Sequence, residues 1–261
     1  MDLELDDNAA LVTASTSGLG LASAEALAAA GANVAICGRN VDTLDAARET
    51  VAAAGAGDVL AIEADITDGD DIERLVDETV AAFGGIDHLV TSAGGPPSGP
   101  FLDTAEEEWY AAYDLLVMSV VRTLSAAHPH LEASDAGTWV AITSTSVVEP
   151  IEGLVLSNAV RRGVTGVVDT VAREFAPDIR ANAVLPGSHE TPRIEELVEA
   201  GVERGEYDSY EEGLADWSDG IPLERVGDPR ELGDAVAFLS SARASFITGA
   251  ALPVDGGTLR G

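Results

Sequence analysis

The sequence predicts an α/β fold: one Rossmann-type, doubly wound parallel sheet of about seven strands, flanked by helices, formed by residues 1–261 as a single domain. Three observations predict it. Short apolar runs alternate with segments of helical period along the whole chain. The runs are apolar throughout rather than alternating, as in strands covered by helices on both faces. No internal repeat, low-complexity tract or Pro/Gly-rich linker divides the sequence.

The elements follow in order. "ALVTA" reads as the first strand, with a helix from about Leu19 to Ala30 after it. "NVAICG" is the second strand and "VDTLDAARETVAAA" the helix behind it. "VLAIEAD" and "IDHLVTSAG" are the third and fourth, separated by the helix "DIERLVDETVAAF". A long helical stretch from about Glu106 to Leu131 precedes the fifth strand, "TWVAITS". The helix "SNAVRRGVTGVVDTVAREFA" and the sixth strand "IRANAVLPG" come next. Residues around 190–222 are polar and irregular, with helical pieces. The helix "PRELGDAVAFLSS" and the strand "AALPVDGG" complete the pattern.

Composition narrows the partners. Asp and Glu number 46 against 14 basic residues, all of them Arg, for a formal net charge of −32. Such a surface repels phosphate backbones and anionic lipid, so neither nucleic acid nor membrane is an expected partner. Self-repulsion at this charge weakens the compact state in dilute buffer. At about 1 M salt the Debye length falls to about 3 Å and the repulsion is screened. The reading is a halophilic protein of a salt-rich cytoplasm. The acidic start "MDLELDDNAA" resembles no export signal, and the single Cys37 can make no internal disulfide. No apolar run is long enough to span a membrane, and no His/Cys cluster has metal-ligand spacing, so no metal is expected.

Ligands on doubly wound sheets bind at the carboxyl ends of the strands. The loop after the first strand reads "VTASTSGLG". Gly18 and Gly20 have the spacing of the second half of a glycine-rich phosphate loop. Ser15, Thr16 and Ser17 supply hydroxyl and N–H groups, and the following helix offers its positive end. Ala14 stands where a first glycine is expected. It fits if its φ is negative; otherwise the turn shifts. By itself this loop is equally compatible with a plain strand–helix turn.

With these residues the chain resembles the short-chain dehydrogenase/reductase family, and the resemblance covers almost its whole length. The glycine loop matches as Thr13-Ala14 followed by Gly18-Leu19-Gly20. Asp65, followed by Ile66, stands where the family contacts adenine. "TSAG" and Gly95 supply Ala93, Gly94 and Gly95 at the fourth strand. Ser144 follows the fifth strand. "NAVLPG", with Pro186 and Gly187, and Thr191 match the loop that closes over the nicotinamide. "FITGAALPVDGG" matches the C-terminal signature. The resemblance implies an NAD(P)-dependent, 3-oxoacyl-reductase-like oxidoreductase acting on a small carbonyl or alcohol. It also implies a lid at about 190–222 and a homotetramer or homodimer paired through the helices around 106–131 and 157–176. An acidic residue near the end of strand two marks NAD preference in this fold. Here "AICGRN" offers Gly38 and Arg39, and Arg39 can donate to a 2′-phosphate. NADP is therefore expected, NAD being possible; the competing role for Arg39 is an ion pair with a nearby acid such as Asp42.

The family's catalytic groups are mostly missing. Its Tyr, thirteen residues after the Ser, falls on Ser157, and its Lys, four further on, falls on Arg161. Its helix Asn falls on Leu116. A serine hydroxyl is a far weaker acid than a phenol of pKa about 10, and a guanidinium stays protonated. Arg161 can hold the ribose hydroxyls and keep a positive charge at the site. The proton route must then be non-standard: bound water, or His189 in "PGSHET", whose ordinary pKa suits acid–base work. His189 is also readable as an exposed loop histidine, and Tyr113 as either inward-facing or packed. His88, His128 and His130 read as structural. The loop "GGPPSGPF" reads as a pocket wall or a rigid loop without ligand contact. A catalytically silent NADP-binding sensor or assembly protein is the competing reading, and an oligomer-stabilising paralogue without ligand a weaker third.

Overall fold

The computed structural model describes residues 2–259, apart from the side chains at 193, 197 and 200. Among the described residues, seven parallel strands form one sheet in the order β3-β2-β1-β4-β5-β6-β7. They are β1 Ala9–Val12, β2 Asn33–Gly38, β3 Val59–Glu63, β4 His88–Thr91, β5 Thr138–Ile142, β6 Arg180–Pro186 and β7 Ala251–Val254. The helices are α1 Gly18–Ala29, α2 Val41–Ala54, α3 Gly69–Phe83, α4 Glu106–Tyr113, α5 Ser119–Ala133, α6 Val155–Glu174, α7 Pro192–Glu203, α8 Tyr210–Trp217 and α9 Pro229–Ser240.

Strand parity divides the core. Leu11, Leu89, Trp139 and Ala141 face one layer with Leu75, Leu116, Leu131 and Val164 of α3, the α4–α5 stretch and α6. Val12, Val34, Val90 and Val140 face the other with Leu27, Leu44 and Val236 of α1, α2 and α9. Successive strand residues point to opposite faces, so both layers need apolar side chains, and the runs are apolar without alternation. Local chemistry sets the helix ends. Asn40 caps α2 by accepting from Thr43 N at 3.0 Å. Asp68 caps α3, which stops at Gly84 with φ 86°. Asp228, Pro229 and Glu231 form a capping box at α9.

The strand order reverses between β1 and β4, so the connections from these strands diverge and open a crevice at their carboxyl ends. The long helical stretch is continuous but contains a π turn at Asp114–Met118, where Ser119 N bonds Asp114 O. This widened turn stands beside the crevice. Residues 190–222, irregular by sequence, hold α7 and α8. Ile194, Val198 and Val226 form a small apolar cluster there, with Tyr210, Leu214 and Trp217 packed against it.

Candidate active site

A cleft of about 500 Å³ lies at the strand tips across β1 and β4. Its floor is the loop between β1 and α1. Gly20 is required there: a Cβ on it would stand 2.4 Å from Ala14 O. Gly18 takes φ 54° beneath the Thr191 side chain. Ala14 adopts φ 47°, so the turn keeps the glycine-like path although the residue is alanine.

The start of α1 is open to the cleft. Its N-cap Ser17 makes no side-chain cap, and no acidic residue occupies the first turn. By contrast α2, α3, α4, α7, α8 and α9 all carry acids in their first turns. In a chain with so many carboxylates, an unblocked positive helix end pointing into a cleft is a seat for an anion.

Thr16, Ser17, Gly18, Leu19 and Gly20 line the cleft, as do Asp65, Ile66, Ala93, Gly94, Gly95, Arg161 and Thr191. Thr13 and Ser15 do not; both are buried behind it and their hydroxyls are used by the scaffold. Thr13 Oγ1 donates to Ser92 O at 2.8 Å and accepts from Ser92 N at 2.9 Å, tying β1 to β4. Ser15 Oγ donates to Val12 O at 2.8 Å and accepts from Cys37 N at 3.0 Å. Phosphate-directed hydroxyls therefore reduce to those of Thr16 and Ser17.

At the far end of the cleft Arg39 is exposed and makes no ion pair among the described residues, with Asp42 or any other acid. A Cβ on Gly38 would meet Thr16 Cγ2 at 2.3 Å, so position 38 has no room for a carboxylate side chain as packed. Asp65 accepts from Thr67 N at 2.9 Å and Thr67 Oγ1 at 2.7 Å. Chiefly the Thr67 N–H, aided by its hydroxyl and the nearby Arg39 charge, holds the Asp65 carboxyl below its usual range. The residues fit a dinucleotide: an open helix N-terminus for the diphosphate, glycines that admit its close approach, and a free guanidinium at the ribose end.

A smaller pocket of about 180 Å³ continues from this cleft, sharing Leu19, Thr143, Arg161 and Thr191 with it. Ser144, Ser157, Pro186, Gly187, His189 and Ile194 complete its wall. Ser144, Ser157, Arg161 and His189, far apart in sequence, thus meet in one place. Ser144 begins a 3-10 turn at Thr145–Val147 and accepts from Ser146 N at 3.1 Å, so its O–H remains free to donate. The partner of Ser157 is Ser146: their hydroxyl oxygens lie 3.3 Å apart. The sequence reading missed Ser146. The alternation of hydroxyls in "TSTS" was its signal.

Arg161 is half-buried, and it lines both the cleft and the smaller pocket. Burial pushes its pKa down to about 10, so it stays cationic at neutral pH. Its Nη2 donates to Gly94 O at 3.4 Å.

His189 is not an exposed loop residue. Its ring is 4% exposed and fills the space left by Gly227, where a Cβ would stand 2.9 Å from the ring. Nδ1–H donates to Gly187 O at 3.2 Å. Burial lowers its pKa against the opposing effects of that carbonyl, Glu231 and Asp228, so the imidazole is neutral at neutral pH. Tyr113 is 51% exposed and packs into neither pocket. Leu116, at the family's Asn position, is buried in the core; the π turn presents Leu115 to the cleft instead. The loop at 94–101 is tied down by Gly99, whose N–H donates to Gly153 O at 2.7 Å.

A family model described as Enoyl-(Acyl carrier protein) reductase matches residues 13–258. The chain is 33% identical over 256 residues to the human Dehydrogenase/reductase SDR family member 4, covering 97% of this chain and 88% of that protein. L-sorbose reductase from Gluconobacter frateurii, solved with NADPH and L-sorbose, superposes with a TM-score of 0.96 at 30% identity over 100% of both chains. An NADPH-bound short chain oxidoreductase from Pseudomonas aeruginosa, described as containing an atypical catalytic center, superposes with a TM-score of 0.89 at 30% identity over 98% of each chain. Over nearly its full length and in its fold, the chain belongs to the short-chain dehydrogenase/reductase family of NAD(P)-dependent oxidoreductases.

Proposed function

We propose that the chain is an NADP(H)-preferring reductase or dehydrogenase of a small carbonyl/alcohol pair, working without the family's Tyr, Lys and Asn. The observation that carries this is the distribution of positive charge. In a chain of net charge −32, the cleft keeps an unblocked helix N-terminus and two guanidinium groups, Arg39 and Arg161, free of carboxylates among the described residues.

The α1 N-terminus with Gly18 and Gly20 holds the diphosphate, Arg39 the 2′-phosphate, and Asp65 with Ile66 the adenine end. Ala93, Gly94 and Gly95 line the path inward, and Pro186, Gly187 and Thr191 close over the nicotinamide end. When bound, the cofactor supplies or takes the hydride. Ser144 donates its free O–H to the substrate oxygen. Ser157 and Ser146 form a hydroxyl pair beside it. The unprotonated Nε2 of neutral His189 takes the proton through water in alcohol oxidation and, in carbonyl reduction, returns one that it has first taken up from solvent, replacing the phenol. NADPH-bound structural relatives support the cofactor assignment. The dehydrogenase and reductase relatives favour an enzyme over a silent nucleotide sensor.

The protein works in the salt-rich cytoplasm of a halophile, as a homotetramer or homodimer joined through α4–α5 and α6. Tyr110 and Tyr113 stand 69% and 51% exposed on α4, as such a contact would use. Among the described residues no helix is long and apolar enough to cross a membrane, and no group of three or more His, Cys, Asp or Glu is placed to hold a metal. The test is titration with NADPH and NADH at molar salt, followed by a carbonyl-substrate screen. NADPH binding with oxidation by a carbonyl is expected. Tight NADPH binding with no turnover of any carbonyl would turn the assignment to the sensor.

A further inference from the structure

The small pocket beside Ser144 contains a charge that the reaction scheme leaves unbalanced. The described arginines other than Arg161 fall into two groups. Arg74, Arg122, Arg204, Arg225 and Arg243 pair with carboxylates, and the half-buried Arg180 donates to the four carbonyls of Leu239, Ser240, Ser241 and Ile247. Arg39, Arg48, Arg162, Arg173 and Arg230 are exposed or half-exposed to water. Arg161 is neither paired nor freely solvated. It is half-buried in the wall of both pockets, has no carboxylate within 4 Å among the described residues, and makes one long hydrogen bond out of five N–H donors.

Leaving a half-buried guanidinium unpaired is unfavourable, and a chain with about three acids to each base had ample means to pair it. Cofactor groups do not resolve this. The diphosphate belongs at the α1 N-terminus and the 2′-phosphate at Arg39, at the other end of the cleft. Ribose hydroxyls are neutral, and an oxidised nicotinamide is itself a cation. The side of Arg161 that remains faces the pocket of about 180 Å³. That volume exists because position 157 carries a serine, whose hydroxyl is drawn aside to Ser146, where the family has a phenol ring.

We propose that this pocket is an anion-binding substrate subsite, in which the Arg161 guanidinium receives a carboxylate carried by the substrate next to its reacting carbonyl or alcohol. The substrate class is therefore a small oxo acid or hydroxy acid. Ser144 meets the carbonyl oxygen and Arg161 the carboxylate through its planar fork. The proposal rests on the oxidoreductase reading of the cleft and concerns binding alone; no bond changes in it.

The experiment compares probes of equal shape that differ in one charge: pyruvate with pyruvamide, and acetoacetate with acetoacetamide. Each is titrated into the protein loaded with oxidised NADP, which has no hydride to give an oxo compound, at fixed molar potassium chloride, read by calorimetry. At least one carboxylate is expected to bind tenfold or more tightly than its amide. In Arg161→Gln that preference vanishes, and in Arg161→Lys a part of it remains. The proposal is overturned if neither carboxylate is preferred over its amide, or if the preference survives in Arg161→Gln. Should the variant lose its fold, the wild-type comparison still decides. A protein that fails to bind NADP refutes the oxidoreductase reading itself. Normal NADP binding without carboxylate preference refutes the subsite alone.

Discussion

His88 makes the stability of this protein pH-dependent in a range where few of its acids titrate. It begins β4 and is 0% exposed. Asn8 Nδ2 donates to its Nε2 at 2.9 Å, and its Nδ1–H donates to Thr138 Oγ1 at 2.8 Å. A proton added at Nε2 would face the Asn8 donor and bury a charge. Burial, reinforced by Arg180 and opposed by Asp87, brings the pKa from 6.5 down to about 4. The folded value lies below the unfolded one, so the unfolded chain takes up the proton first. The stability that His88 contributes as a neutral ring is complete above pH 6.5 and is lost as pH falls toward 4. Taking both states together, the loss between about pH 7.5 and about pH 5 is about 2 kcal/mol. For a domain of this size that lowers Tm by about 4–8 °C.

The assay is thermal unfolding at both pH values in molar salt, where self-repulsion is screened, for wild type and His88→Gln. The variant is expected to lose about 2 kcal/mol of the pH span, whatever its absolute stability. An identical span in the two proteins would refute the burial of a neutral ring at the base of the sheet.

Four further predictions concern the cleft and its frame. Ala14→Gly removes an alanine from a left-handed conformation costing about 1–2 kcal/mol and returns about 0.4–1 kcal/mol of unfolded-chain entropy. Calorimetry should show a Tm higher by about 2–4 °C, and a lower Tm would contradict the φ of 47°. Arg39→Ala should weaken NADPH binding by about tenfold or more and leave NADH nearly unchanged; equal loss for both would remove the 2′-phosphate role. Arg180→Ala, which removes the donor to the Leu239, Ser240 and Ser241 carbonyls at the end of α9 and one of the two donors to Ile247 O, should cost about 2–4 kcal/mol in denaturant unfolding. Restoring the family pair in one protein, Ser157→Tyr with Arg161→Lys, should raise carbonyl reduction with a new titration in the pH–rate profile. No gain would mean that the register at Ser157 is not that of the family Tyr.

The doubly wound sheet was legible in the residues because both of its determinants are local. Apolar runs such as "NVAICG" and "TWVAITS" suit strands covered on both faces, and the segment "VDTLDAARETVAAA" is α2 residue for residue, Val41–Ala54. Gly18 was legible from the spacing of its loop, and Asp65 and Ser144 through the resemblance to the family, because they follow strands three and five. Three matters required the tertiary structure. The φ of Ala14 depends on the carbonyl path that Gly20 must clear, a contact between two backbone segments that no residue identity at position 14 reports. Ser15 looked like a phosphate ligand, but the close approach of β2 turns its hydroxyl to Cys37 N. His189 was readable as an acid–base group or as an exposed loop residue, and the absence of a side chain at Gly227, thirty-eight positions later in the chain, makes a buried slot for its ring. Side-chain direction in a loop, and the charge state that follows from it, is set by what packs against the loop from elsewhere in the fold, and that information is not held in the segment itself.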